Sequence, residues 1–148
     1  MPESSRVSCD PRLSVPPDMK SSSRRKRTVL VVDDSPLMLR YLQTILEFAA
    51  FHVETAGDGE EALRRISTGR QPDVVLLDLE MPGMGGLATL QHLVRMHPGL
   101  PVIICSGVDD PTVMESASSL GAHAYLRKPV QQLYLTAALE RCLHSPGH

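Results

Sequence analysis

Asp33-Asp34, Asp78, Ser106 and Lys128 each stand at the end of a short apolar run. Three carboxylates brought together repel one another and cannot all stay ionised without compensation. A divalent cation supplies it. An all-oxygen donor set suits Mg²⁺, Mn²⁺ or Ca²⁺ and argues against Zn²⁺, which favours Cys and His. Mg²⁺ usually takes one or two carboxylates and completes its shell with water and phosphate oxygens. A lysine is a compact point charge for phosphate, and a serine hydroxyl can donate to one of its oxygens. The set is therefore suited to a phosphoryl group. A carboxylate can itself accept that group as an acyl phosphate, with metal and lysine screening the developing charge.

Asp78 is the central carboxylate. It ends the apolar run Val74–Leu77, and Pro82, Gly83, Gly85 and Gly86 then open a loop. A continuous apolar run of strand length suits a parallel strand covered on both faces. Open α/β sheets hold their ligands just beyond such strand ends. Each residue also has a plainer reading. Asp78 could begin a turn, Ser106 could form one, and Tyr125 could belong to the core. Asp33 or Asp34 could cap a helix, which accounts for one of the pair but not both. Lys128 stands out as the sole lysine after residue 27.

The elements that must position these residues alternate regularly. The apolar patterns predict strands over 28–32, 52–56, 73–78, 101–105 and 123–126. Helices are expected to begin near Ser35-Pro36, Asp58, Leu87, Asp110-Pro111 and Val130. In the last helix, Leu133, Leu135, Ala138, Leu139 and Cys142 are available for packing. Five strand–helix units in alternation imply a parallel sheet with helices on both faces. Right-handed crossovers then bring every strand end to one edge.

The chain has 148 residues, enough for one domain with a real core. Residues 1–27 carry net charge +4 and residues 28–148 net −6. The first segment is rich in Ser and Pro, ends in SSSRRKR and reads as a disordered basic tail. Without interleaved aromatics it offers no stacking platform, so no nucleic-acid partner is expected. Residues 28–143 read as the folded domain and 144–148 as a C-terminal tail. Cys9, Cys105 and Cys142 are odd in number and lack metal spacing, which favours a reducing, cytoplasmic compartment. No apolar stretch has the length of a membrane span, the N-terminus lacks a signal-peptide core, and no P-loop is present.

The motifs VLVVDDS, VVLLDLEMPGMGG, IICSG and YLRKP, in this order and spacing, resemble the receiver domain of two-component response regulators. The resemblance covers about residues 28–143 and implies a flavodoxin-like, doubly wound five-stranded parallel sheet of order 2-1-3-4-5 with five helices. It implies that Asp78 is the phosphoacceptor for a histidine kinase. Asp34 would bind Mg²⁺ directly, Asp33 mainly through water, and the Glu80 backbone carbonyl would be a further ligand. Ser106 would be the switch hydroxyl, Tyr125 the switch aromatic, and Lys128 the partner of the phosphoryl oxygens through a cis Lys128–Pro129 segment. Glu80 and Val108 border the site and should influence hydrolysis.

The function so expected is a single-domain, chemotaxis-regulator-like signalling switch, not an enzyme beyond its own phosphorylation and dephosphorylation. No DNA-binding or catalytic module follows Leu143, so output is expected through a partner. That partner would be an effector or a histidine phosphotransfer protein on the face formed by residues 108–143. Two alternatives stay open. One is an intermediate carrier in a phosphorelay. The other is a Mg²⁺-dependent phosphohydrolase working through an aspartyl phosphate, which would want a DxD pattern at the first strand and a substrate cap.

Overall fold

The computed structural model describes residues 26–144 apart from 82, 84 and 108. All but the last two residues of the expected N-terminal tail therefore lie outside the described residues, as do positions 145–148 and Val108. In chain order the elements are β1 (Thr28–Val32), α1 (Pro36–Phe48), β2 (His52–Ala56), α2 (Gly59–Thr68) and β3 (Val74–Asp78). They continue with α3 (Gly86–Met96), β4 (Val102–Ser106), α4 (Pro111–Leu120), β5 (Ala124–Arg127) and α5 (Gln132–His144).

The five strands form one parallel sheet in the order β2-β1-β3-β4-β5. The central strands are buried on both faces, which is why β3 (VVLLD) and β4 (VIICS) read as unbroken apolar runs. Alternate residues feed two separate cores. Val29, Val31, Val74, Leu76, Ile103 and Cys105 meet α1 and α5, while Leu30, Val32, Val75, Leu77, Val102 and Ile104 meet α2, α3 and α4. The doubly wound architecture expected from the strand–helix alternation is the one observed.

Several boundaries move by one or two residues. β3 begins at Val74, and Asp73 instead uses its carboxylate to accept from the Thr28 N–H at 2.7 Å. β4 extends through Ser106, because Ser106 still pairs with Arg127 and its carbonyl accepts from the Lys128 N–H at 2.9 Å. β5 correspondingly starts at Ala124 rather than His123. α5 starts at Gln132, and Leu133, expected to pack, is 73% exposed. Leu135, Ala138, Leu139 and Cys142 do pack.

The end of α1 is unusual. The Phe51 N–H donates to Leu46 O and the Ala50 N–H to Glu47 O, both at 3.0 Å. These bonds define a Schellman termination, whose left-handed position is normally glycine. Here it is Ala50, at φ 73°.

Candidate functional site

The strand ends deliver the candidate residues to one edge of the sheet. The Asp33 N–H donates to Ala56 O at 3.1 Å, extending the β1–β2 ladder one residue beyond β1. Asp33 is thereby held at 2% exposure, and its Oδ1 accepts from the Ser35 N–H at 2.9 Å. The Ser35 hydroxyl in turn accepts from the Met38 N–H, capping α1 directly beside the acidic pair. Asp34 is exposed. Asp78, the last residue of β3, is 3% exposed, and its Oδ1 accepts from the Glu80 N–H at 3.1 Å.

Lys128 follows β5, and its peptide bond to Pro129 is cis. Its Nζ lies 3.0 Å from Asp33 Oδ2 and 3.3 Å from Asp78 Oδ1. Carboxylate oxygens of Asp33, Asp34 and Asp78 all lie within 4.8 Å of one another. One ammonium thus pairs with two carboxylates of a cluster of three.

Burial pushes the Asp78 carboxyl above its ordinary pKa. The hydrogen bond from the Glu80 amide opposes that rise, the Asp33 charge adds to it, and Lys128 offsets only part of it. For Lys128, burial alone would lower the pKa, but the hydrogen bond to Asp33 and the charges of Asp78 and Asp33 outweigh it and raise it. Asp78 rises because burial outweighs the attraction of a lysine it shares with Asp33, and Lys128 rises because two carboxylates hold its charge. Asp78 is left under-compensated. That excess of hard, negative oxygen donors fits Mg²⁺ or Mn²⁺, and no thiolate or imidazole of the kind Zn²⁺ favours belongs to the cluster.

Ser106 is fully buried at the end of β4. Tyr125 sits one strand over, paired with Ile104, and packs partly buried against the core on the α2–α4 side. Asp33, Asp34, Asp78 and Lys128 are thus brought together directly, and Ser106 and Tyr125 line the neighbouring strands. Glu80 is placed at the same edge by the hydrogen bond its N–H donates to Asp78 Oδ1.

Three features escaped the sequence reading. The Glu80 side chain, expected there only to border the site and influence hydrolysis, accepts from the Gly107 N–H through Oε1 at 3.2 Å. The Tyr41 hydroxyl donates to Val130 O at 2.9 Å, tying α1 to the segment just after Lys128-Pro129. Gly86 sits where a Cβ would collide with Leu79 Cα and would lie 2.7 Å from Asp78 O. The glycine run after β3 therefore has a steric component: α3 can start this close to β3 only without a side chain there. Such contacts have no sequence period that would announce them.

Comparison with known proteins agrees with this geometry. The family model for the response regulator receiver domain matches residues 29–140. Among curated relatives, a probable transcriptional regulatory protein, TcrX, of Mycobacterium tuberculosis is 35% identical over 129 residues, covering 87% of this chain and 55% of its own length. A protein-glutamate methylesterase/protein-glutamine glutaminase of Myxococcus xanthus is 42% identical over 110 residues, covering 73% of this chain and 31% of its own length. The chain thus spans about half or less of the curated relatives it matches. Among solved structures, a CheY-like receiver domain of Methanospirillum hungatei superposes with a TM-score of 0.76 at 28% identity, covering 80% of this chain and 94% of that one. The chemotaxis protein CheY4 of Vibrio cholerae gives 0.74 at 30% identity, covering 80% and 99%. With the sheet order, the acidic edge and the family match in agreement, this chain belongs to the response regulator receiver domains, the phosphorylation-controlled modules of two-component signalling.

Proposed function

We propose that Asp78 accepts a phosphoryl group from a histidine kinase and that the chain then signals through a partner protein. One observation carries the reading: Lys128 Nζ stands within 3.3 Å of both Asp33 and Asp78, two buried carboxylates at the ligand-binding edge of the sheet. An Asp78 carboxylate oxygen attacks phosphorus, the P–N bond of the phosphohistidine breaks, and the imidazole leaves with a proton from solvent. An acyl phosphate remains on Asp78. Lys128 follows the charge, exchanging contact with the Asp78 carboxylate for contact with phosphoryl oxygens. Asp34, Asp33, Asp78 and the Glu80 backbone carbonyl would hold Mg²⁺, with Mn²⁺ as a substitute. That ion supplies charge neutralisation for the incoming phosphoryl oxygens.

Ser106 ends the strand next to Asp78 and Tyr125 lies on the strand beyond it, so they are the side chains through which the change would spread. Their movement would bias α4, β5 and α5, the face of residues 108–143, where an effector or a phosphotransfer protein would bind. A two-state shift of that kind needs about 5.5 kcal/mol of differential binding, and contacts to charged groups supply about 1.5–3 kcal/mol each. Lys128, Ser106 and the metal together reach that range. The switch is cytoplasmic and acts as a phosphoprotein rather than as a turnover enzyme.

Incubation with acetyl phosphate and Mg²⁺, followed by intact-mass analysis, tests the reading. One phosphoryl group should add to the native protein and none to Asp78→Asn. Phosphoryl addition to the variant would move the acceptor elsewhere.

A further inference from the structure

Glu80 bridges two loops at the site. Its N–H donates to Asp78 Oδ1 at 3.1 Å, while its carboxylate accepts from the Gly107 N–H at 3.2 Å. Asp78 pairs with Cys105 across the sheet, so Gly107 lies just beyond the same edge, on the strand next to Asp78. The Gly107 amide directly follows Ser106, the buried hydroxyl at the end of β4. An amide N–H at that point is a donor for an anion, and in the unmodified protein a carboxylate already holds it. Glu80 is exposed, so solvation lets its side chain leave without the cost of an abandoned buried charge.

We propose that Glu80 is a positioning residue whose carboxylate stands in for the phosphoryl group at the Gly107 amide, latching the β3–α3 loop to the β4–α4 loop until Asp78 is modified. The inference rests on Asp78 being the phosphoacceptor. Two effects open the latch. Conversion of the Asp78 carboxylate to an acyl phosphate weakens Oδ1 as an acceptor, which loosens the Glu80 amide. The new phosphoryl charge also repels the Glu80 carboxylate and competes for the Gly107 N–H. The latch therefore opposes acquisition of the phosphoryl group and keeps the loop after Ser106 in its unmodified position.

The test uses Glu80→Gln, which keeps size and an acceptor but removes the charge, and Glu80→Ala, which removes both. Amide hydrogen exchange at Gly107 in the unmodified protein reads the latch alone, and it should be fastest in Glu80→Ala. Titration with beryllofluoride and Mg²⁺, which mimic an acyl phosphate without chemistry, reads the competition. Loss of the charge should tighten beryllofluoride binding by roughly three- to tenfold, the range expected of one ordinary, solvent-exposed hydrogen bond. Unchanged Gly107 exchange in Glu80→Ala would show that the amide is not held, and unchanged beryllofluoride affinity in Glu80→Gln would show that the carboxylate does not compete. Either result overturns the proposal while native binding leaves the Asp78 reading intact. Native protein that fails to take beryllofluoride would bring down the Asp78 reading and the competition with it.

Discussion

Replacing Asp78 by Asn should stabilise the metal-free protein, although it removes a group that contacts a lysine. The magnitude follows from the distances. At an effective dielectric constant of about 20, the Lys128 contact at 3.3 Å attracts Asp78 by about 5 kcal/mol. Repulsion from Asp33, with oxygens within 4.8 Å, is at least about 3.5 kcal/mol on the same scale. Asp34 is exposed, and solvent screening reduces its contribution to about 1–2 kcal/mol. The Coulomb terms nearly cancel, leaving the burial of the charge uncompensated. An amide avoids that penalty, and its oxygen still accepts from Glu80 and Lys128. We expect a net gain of about 1–2 kcal/mol, or roughly 4–8 °C in Tm for a domain of this size.

Urea or thermal denaturation at pH 7.5 in chelator measures the gain. Mg²⁺ should erase it, because a ligand at one hundred times its Kd adds about 2.7 kcal/mol to the native protein and less to a variant that binds it more weakly. The pH dependence has a definite sign. A carboxyl with a raised pKa binds its proton more tightly folded than unfolded, so the cost of its charge is full above the folded pKa. The gap between the two proteins should shrink as pH falls through that raised value and vanish below the ordinary carboxyl range. Native protein more stable than Asp78→Asn by 1 kcal/mol or more at pH 7.5 without divalent metal would refute the reasoning.

Three further outcomes are expected of the same molecule. Mg²⁺ affinity, read by titration calorimetry, should fall further in Asp34→Asn than in Asp33→Asn. Both Asp33 oxygens are already engaged, one by the Ser35 amide and one by Lys128, whereas Asp34 is exposed; equal losses would contradict this. Ala50→Gly should raise stability by about 0.5–1 kcal/mol, since a left-handed alanine costs about 1–2 kcal/mol and glycine returns part of that as chain entropy. A fall in the urea midpoint would show that the Ala50 conformation carries no strain. Burial pushes the Cys105 thiol up to about 12, so iodoacetamide at pH 8.5 should leave it unmodified in the native protein and alkylate it in denaturant. Peptide mapping that finds native Cys105 alkylated would place it at the surface.

The parts of the fold legible in the sequence are those where one physical requirement dominates. Val74–Leu77 and Val102–Cys105 are dry on both faces, so their apolar runs announce buried parallel strands. Ser35-Pro36, Asp58 and Asp110-Pro111 mark helix starts because capping chemistry is local. The direct contacts among Asp33, Asp78 and Lys128 follow from strand ends sharing an edge, a topological consequence that needs no coordinates. Legibility fails where a polar residue serves the ladder. Ser106 looks like loop yet stays in β4 through its bond with Lys128, and Asp73 looks like strand yet caps Thr28. Leu133 matched the apolar count of α5 but lies on its wet side. The Glu80–Gly107 and Tyr41–Val130 contacts join residues 27 and 89 positions apart, where no local pattern constrains the pairing.

The sequence distance spanned by the site has a consequence for synthesis. Asp33 and Lys128 are 95 residues apart, and their contact closes only when β5 has joined the sheet beside β4. During translation Asp78 emerges long before Lys128, and closure of so large a loop is among the later, entropically costly events of folding. A nascent or truncated receiver therefore exposes the Asp78 carboxylate without the ammonium beside it. On the role proposed for Asp78, competence to receive a signal would then be a quality-control mark, present only once the last strand is in place.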